Sequence, residues 1–273
     1  MAKKNKKIIS VGIIGYGLVG KRRREFIEKN KSFNLVAVSD VTFKNNGIFN
    51  DGVLYFKNYE KLLEKKIDAI FICMPNKMAP IVTKKALKLG MHVFCEKPPS
   101  RDVKSLEKVI EVEKLHPKQK LKYGFNHRYH DSIIQAKKLI DSKKFGKIIN
   151  LRGIYGKSTV IPFTGNWRSN KEEAGGGILL DQGIHLLDMV LFFCNQFNEI
   201  HSFVSNNFWS HEVEDNAYVL MRDNTGIVAM IHSSATEWRH KFRLEITLEK
   251  ALVEMSGILS VQKLWRRKVE YLH

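Results

Sequence analysis

Lys97 has the residue type and the position expected of a catalytic group. It follows the apolar run Val93–Cys95 and Glu96, and Pro98 and Pro99 come directly after it. A residue that precedes proline is displaced from the helical region, so we expect Lys97 to be extended at the end of a strand. An ammonium group held there could stabilise an alkoxide in a site that excludes water. Because the chain contains 46 lysines and arginines, an exposed loop lysine is the competing interpretation.

A second group of polar residues lies on one predicted helix. Asp181 and His185 are four residues apart, and residues at this spacing share a helix face. Asp188 extends that face and is expected to orient the imidazole, which titrates near neutral pH and suits acid–base catalysis. A satisfied core histidine is one alternative. A metal site is another, but no further His or Cys has ligand-like spacing, so we expect no metal.

A glycine-rich loop joins the first predicted strand to the first predicted helix. Its sequence has the pattern G-x-G-x-x-G, and in this context the pattern is typical of dinucleotide-binding proteins. The first glycine permits a tight turn, the second lets a pyrophosphate approach the backbone, and the third lets helix and strand pack closely. The phosphates are expected at the amino terminus of the helix. The cofactor-binding candidates here are Gly15, Tyr16, Gly17, Leu18, Val19 and Gly20.

Asp40 ends the second predicted strand, 25 residues after Gly15. A carboxylate at this position can accept both ribose hydroxyls of NAD and repels the 2′-phosphate of NADP. A turn aspartate at a strand end is the alternative interpretation. Lys44 is close enough to weaken the preference, so we expect NAD as the cofactor without excluding NADP.

The elements predicted before Gly124 alternate between strand and helix, as in a parallel sheet covered on both faces. After it, the pattern predicts a long apolar helix over 178–193 and then mostly strands, with a hairpin turn at 223–226. We therefore predict an α/β protein with an N-terminal Rossmann doubly wound parallel sheet and a C-terminal α+β domain with an open, mostly antiparallel sheet. The predicted domains are an NAD(P)-binding domain over 1–124 and a substrate-binding and dimerisation domain over 125–273.

Composition restricts the classes of partner. The formal net charge is +18, which is compatible with nucleic-acid binding. However, the lysines are scattered along the chain without a nucleic-acid motif, so we expect no nucleic-acid partner. The three cysteines form no CxxC pair, which favours reduced thiols and a cytoplasmic location. No segment approaches the ~20 apolar residues of a membrane-spanning helix, so no membrane partner is expected.

The combined motifs resemble the Gfo/Idh/MocA family of NAD(P)-dependent oxidoreductases. The matching elements are the glycine loop, Pro75-Asn76, Glu96-Lys97-Pro98 and the stretch 175–185 with its Asp-x-Gly-x-His pattern. The last two elements, in this order, are far more specific than the glycine loop. The resemblance covers most of the chain, from residue 8 to residue 257.

The resemblance implies roles for individual residues. Lys97 would lie between nicotinamide and substrate, and Asp181 and His185 would line a sugar site, with His185 as the acid–base group. Further cofactor-binding residues would be Pro75, Asn76, Glu96, Lys97, Asn126, Trp167 and Arg168. The substrate-binding residues would be Lys97, Arg128, Trp167, Arg168, Asp181 and His185.

The resulting hypothesis is hydride transfer between nicotinamide and a secondary alcohol or ketone of a sugar or sugar derivative, with a nucleotide-linked sugar as an option. A non-catalytic sensor or regulator of the same fold, which binds NAD(P), is the alternative. Such a protein can dispense with acid–base groups, so the presence of Lys97, Asp181 and His185 favours an enzyme.

Two departures from the family pattern stand out. Lys77 follows Asn76, whereas the family often has a histidine shortly after the Pro-Asn pair. The family pattern also stops after Gly257, and the basic run 261–270 is expected to be weakly helical. We therefore expect a short or altered C-terminus and an incomplete second sheet. The family usually pairs through that sheet, so a homodimer or homotetramer is expected if the sheet is intact.

Overall fold

In a computed structural model the chain forms two compact units, residues 1–124 and 125–273. The structure describes residues 8–159, 167–194 and 196–257, together with the backbone of 268–272. The boundary between the units lies at Gly124, where the alternation of strands and helices ends.

Unit 1 is a mostly parallel sheet with helices in most of its crossovers. Its strands are β1 (Ile9–Ile14), β2 (Phe33–Ser39), β3 (Gly47–Ile48), β4 (Leu54–Phe56), β5 (Ala69–Ile72), β6 (His92–Cys95) and β7 (Leu121–Tyr123), and its helices are α1 (Leu18–Glu28), α2 (Tyr59–Leu63), α3 (Ala79–Lys88) and α4 (Val103–Leu115). The strand order is β3-β4-β2-β1-β5-β6-β7. Only the β3–β4 pair is antiparallel among these neighbours. This topology confirms the predicted Rossmann sheet.

The central strands of unit 1 are apolar on both faces. Ile13 and Ile14 are adjacent in β1 but belong to different buried clusters, because successive side chains of a strand point to opposite faces. Ile14 packs with Ile70 and Ile72, whereas Ile13 packs with Val38. A strand buried on both faces therefore reads as a continuous apolar run.

The crossover from β2 to β4 contains no helix. Residues 40–53 form a loop that includes the short strand β3. The rings of Phe43 and Phe49 in this loop pack with the ring of Tyr55 in β4. The distances between the three ring centroids are 4.8 to 6.1 Å. Tyr16 of the glycine loop is in ring contact with Phe43 and Phe49. Aromatic side chains thus pack against the sheet face in this crossover.

Unit 2 is built on a long mixed sheet. Its elements are α5 (Asp131–Asp141), β8 (Ile148–Ser158), α6 (Lys171–Ala174), α7 (Ile184–Phe193), β9 (Glu199–Ser205), β10 (Asn216–Arg222), β11 (Val228–Glu237), β12 (Lys241–Leu248), β13 (Ala251–Ser256) and β14 (Lys268–Leu272). The strand order is β14-β13-β12-β8-β11-β10-β9. The β8–β11 pair is parallel and the other neighbours are antiparallel, which confirms the predicted second sheet.

One face of this sheet is buried and the other is largely open. Leu186 and Met189 of α7 and Ile133 of α5 are fully buried in the core of unit 2. On the outer face, Phe203 of β9 pairs with Tyr218 of β10, and these side chains are 80% and 49% exposed.

The C-terminal segment differs from the expectation. Residues 268–272 form β14, which pairs with β13 so that Leu272 lies opposite Leu252. The predicted weak helix is therefore wrong for 268–270, because these residues extend the sheet by a strand. The rest of the predicted basic helix lies outside the described residues.

The segment Lys171–Phe193 is long and apolar enough, by composition alone, to cross a membrane, contrary to the expectation from the sequence. Half of its most apolar window is buried inside the protein. Since Leu186, Met189 and Val190 are core residues of unit 2, the segment has the packing of a core helix.

Candidate cofactor and catalytic sites

The glycine loop of unit 1 leaves space where a dinucleotide phosphate would bind. Gly15 has a φ of +88°, and a Cβ on it would lie 2.2 Å from the carbonyl oxygen of Cys73. A Cβ on Gly20 would lie 2.1 Å from the carbonyl oxygen of Gly15, whereas a Cβ on Gly17 would meet no atom within 4 Å. Gly17 is also the N-cap of α1 and has no side chain to accept from the first amide groups. The loop therefore fits a phosphate-bearing cofactor.

This arrangement makes a paired prediction. Gly17→Ala should leave the melting temperature unchanged but weaken NAD binding by at least about tenfold, because the new methyl group occupies the open space needed by the pyrophosphate. Gly20→Ala should instead destabilise unit 1 by about 1–3 kcal/mol through overpacking. Thermal melting and fluorescence titration with NAD measure the two effects. NAD binding by Gly17→Ala at the wild-type level would show that phosphates do not bind at this loop.

Asp40 is held beside the glycine loop. Its Oδ2 accepts the backbone N–H of Tyr16 at 2.7 Å, and its Oδ1 accepts the backbone N–H and hydroxyl of Thr42 at 3.0 and 2.7 Å. Each carboxylate oxygen has further acceptor capacity. The carboxylate is thus fixed at the end of β2, where the sequence predicts the ribose site.

The remaining candidates of unit 1 follow β5 and β6. The carbonyl oxygen of Pro75 accepts the N–H groups of Met78 and Ala79 at 2.9 and 3.1 Å, so Pro75 holds the turn that leads into α3. Asn76 beside it is buried. Glu96 forms an ion pair with Arg23 of α1 at 2.5 Å. This pair supports a role for Glu96 in fixing α1 to the end of β6.

Lys97 lies in the bend directly after β6 and is partly buried. The Lys97–Pro98 peptide bond is cis. Because β6 ends at Cys95, the lysine lies just beyond the carboxyl end of a parallel strand. Open α/β sheets bind ligands at this edge. This placement agrees with the expected position at a strand end.

The segment that carries Asp181 in unit 2 is not the predicted continuous α-helix. Residues Leu179–Gly183 form a π-helical turn that leads into α7. The carboxylate of Glu214 accepts the N–H groups of Gly177 and Leu179 at 2.8 and 3.1 Å, and its carbonyl oxygen accepts that of Ile178 at 3.0 Å. Glu214 therefore sets where this turn begins. Because π turns have a wider hydrogen-bonding period, the spacing argument that placed Asp181 and His185 on one face does not apply here.

Tyr155 of β8 nevertheless lies near both Asp181 and His185. The rings of Tyr155 and His185 are 6.2 Å apart between centroids. Burial, and after it the charge of Asp181, raises the pKa of the Tyr155 hydroxyl. Both candidates thus lie around the same buried tyrosine.

His185 is stacked on His127, a residue that the sequence did not single out. The ring centroids are 3.9 Å apart and the planes differ by 11°. Both side chains are buried, at 4% and 2% exposure. The stack fixes the orientation of the His185 ring. Asn126, next to His127, is exposed in the same 3-10 turn.

Asp188 does not orient His185, contrary to the expectation. Its carboxylate accepts two hydrogen bonds from Nε of Arg128 at 3.0 and 2.9 Å and one from Nη2 at 2.5 Å. The Asp188 side chain is 8% exposed and that of Arg128 is 40% exposed. Arg128, a predicted substrate-binding residue, thus neutralises a buried carboxylate of α7. The charge-assisted hydrogen bonds to Asp188 raise the pKa of the Arg128 guanidinium.

Basic groups face Asp181. Arg168 lies with Nε 3.6 Å from Oδ1 of Asp181, and its guanidinium stacks over the ring of Trp167 at 4.4 Å. Lys157 of β8 is a residue that the sequence did not indicate. Burial lowers the pKa of its ammonium group, against the opposing effect of the Asp181 charge, and the charge of Arg168 lowers the pKa further. The structure thus brings Trp167, Arg168 and Asp181 together, and Lys157 lies within electrostatic range of Arg168 and Asp181.

Comparison with known proteins agrees with both units. Residues 9–125 match the family model described as "Oxidoreductase family, NAD-binding Rossmann fold". Residues 133–254 match the GFO/IDH/MocA C-terminal domain. These matches identify an NAD(P)-dependent dehydrogenase, with NAD as its cofactor. The chain belongs to the Gfo/Idh/MocA family.

Three relatives illustrate the similarity. Inositol 2-dehydrogenase of Salmonella typhimurium is 22% identical over 261 residues, covering 92% of this chain and 75% of that protein. D-glucoside 3-dehydrogenase of Escherichia coli is 29% identical over 189 residues, covering 67% and 53%. The crystal structure of myo-inositol 2-dehydrogenase from Lactobacillus plantarum superposes with a TM-score of 0.81 at 26% identity, covering 91% of this chain and 76% of that one.

Proposed function

We propose that this protein transfers a hydride between NAD and a secondary alcohol or ketone of a sugar or cyclic polyol. The observation that carries the proposal is that the ring of His185 is buried and fixed in orientation. Its imidazole is buried and held by stacking on His127, and Asp181 lies in the turn that leads into the same helix. A fixed imidazole of this kind suits proton transfer with an alcohol.

The chain's own residues divide the chemistry between them. NAD, when bound, would supply the acceptor for the hydride that leaves the carbinol carbon. His185 accepts the hydroxyl proton, and Lys97 stabilises the developing alkoxide by its positive charge. Asp181, faced by Arg168 at 3.6 Å, binds substrate hydroxyl groups and orients them. Trp167 and Arg168 are proposed to extend that binding surface.

The proposed cofactor-binding residues are those of unit 1 around the glycine loop. The N–H groups of residues 17–20 bind the pyrophosphate, and Asp40 accepts the ribose hydroxyls. Pro75 and Asn76 follow β5 and Glu96 and Lys97 follow β6, so the four are proposed to line the nicotinamide half. The roles of unit 1 in cofactor binding and of unit 2 in substrate binding rest on these assignments.

The substrate class is proposed from the relatives and from the charges of the site. Two relatives are named as inositol 2-dehydrogenases and one as a glucoside 3-dehydrogenase, which supports a ring with several hydroxyl groups. Lys157 and Arg168 beside Asp181 and the net charge of +18 suit a nucleotide-linked or acidic sugar. The homodimer or homotetramer and the cytoplasmic location remain predictions.

A substrate panel tests the proposal. Purified protein is mixed with NAD and with inositols, glucosides, hexuronic acids and nucleotide-linked sugars, and the absorbance band of NADH is followed. We expect NADH from at least one class. Tight NAD binding without NADH from any class would favour the non-catalytic sensor instead.

A further inference from the structure

The crossover without a helix in unit 1 leaves a cavity of about 850 Å³ beside α1. Its walls include Tyr16, Arg24, Thr42, Lys44 and Asp51. No step of the proposed reaction uses this cavity. Two of its lining residues are cationic, Arg24 of α1 and Lys44 of the β2–β4 crossover.

The cavity adjoins Asp40. Tyr16 and Thr42, which line the cavity, are the residues whose N–H groups donate to the Asp40 carboxylate. A carboxylate at this strand end accepts the ribose 2′-hydroxyl of NAD, and an arginine nearby accommodates the 2′-phosphate of NADP. The 2′-position of a bound adenosine would therefore face a cavity that contains one candidate arginine and one candidate lysine.

Arg24 of α1 is already committed to other partners in this cavity. Its Nε donates to Oε1 of Glu28 at 2.6 Å, and its Nη1 donates to the Tyr16 hydroxyl at 3.0 Å. Its Nη2 forms a very short ion pair with Asp51. Two carboxylates thus balance the single charge of Arg24, and Nε, Nη1 and Nη2 each already donate to a partner within the protein.

We propose that Asp51, together with Glu28, sequesters Arg24 and so acts as a second determinant of the preference for NAD over NADP. Asp40 repels the 2′-phosphate directly. Asp51 and Glu28 act through Arg24, by withholding the guanidinium that would otherwise bind that phosphate. Asp51 is a specificity residue that needs no contact with the cofactor.

Equilibrium binding of the two cofactors tests the proposal without depending on turnover. The readout is the ratio of the NADP and NAD dissociation constants, measured by fluorescence titration. In Asp51→Asn/Glu28→Gln, the ratio should fall by about tenfold, because one charge-assisted phosphate bond becomes available. Adding Arg24→Ala to that variant should restore the wild-type ratio.

Two further variants make the result decisive. Glu60→Gln removes one carboxylate charge from an ion pair with Lys85 outside the cavity and should leave the ratio unchanged. Arg24→Ala alone should not weaken NADP binding, since the arginine is not available to NADP in the wild type. An unchanged ratio in the double variant, a gain that survives Arg24→Ala, an equal gain from Glu60→Gln, or weaker NADP binding in Arg24→Ala alone would each overturn the proposal.

Discussion

Lys97→Ala is expected to lower the turnover number by at least about 100-fold while NAD binding stays nearly intact. The ammonium group is proposed to stabilise the alkoxide, and the loss of one such charge in a water-excluded site typically costs ~10²–10³ in rate. The binding energy of NAD comes mainly from the glycine loop and Asp40, which the substitution does not touch. Steady-state rates with the best substrate of the panel and fluorescence titration with NAD provide the two readouts.

Two companion variants sharpen this prediction. Lys104 is exposed near the start of α4, and Lys104→Ala removes the same charge without an effect expected on turnover. His185→Ala should lower turnover by ~10²–10⁴ through the loss of acid–base catalysis, again with NAD binding retained. Wild-type rates in both Lys97→Ala and His185→Ala would show that the proposed site is wrong.

Arg128→Ala is expected to destabilise unit 2 by about 2 kcal/mol. Removing one partner of a buried ion pair leaves an uncompensated charge and usually costs ~3–5 kcal/mol. The value is smaller here because the Arg128 side chain is 40% exposed and water screens the pair. Urea unfolding followed by circular dichroism measures the change.

The double variant Arg128→Met/Asp188→Leu serves as the control for that prediction. It removes the buried carboxylate together with its partner, so much of the lost stability should return. A different pattern, with a raised KM in Arg128→Ala and an unchanged free energy of unfolding, would support the substrate-binding role that the sequence suggested for Arg128.

Local patterns were sufficient to predict most of the fold. The alternation of strands and helices before Gly124 is found in unit 1 as predicted, because apolar runs and flanking turn residues mark these elements in the chain itself. The glycine loop was equally readable, since its three glycines meet steric and conformational requirements within one strand–turn–helix unit. The hairpin turn between β10 and β11 was found for the same reason: Asp223 and Ile227 are paired across it.

Long-range contacts account for what the sequence did not predict. The π turn before α7 depends on Glu214, which lies 37 residues after Gly177. The partner of Asp188 lies 60 residues earlier, at Arg128, so helix periodicity alone pointed to the wrong neighbour, His185. The stack of His127 on His185 is likewise a tertiary contact, and no spacing in the sequence signals it.

Isotope transfer tests the proposed hydride transfer most directly. The protein is incubated with NAD and with the best substrate of the panel, deuterated at its carbinol carbons, and the reduced cofactor is analysed by mass spectrometry. We expect NADH that carries one deuterium, formed at least about 100-fold more slowly by Lys97→Ala. A folded protein that binds NAD but yields no labelled NADH from any deuterated polyol or sugar would contradict the assignment as a dehydrogenase.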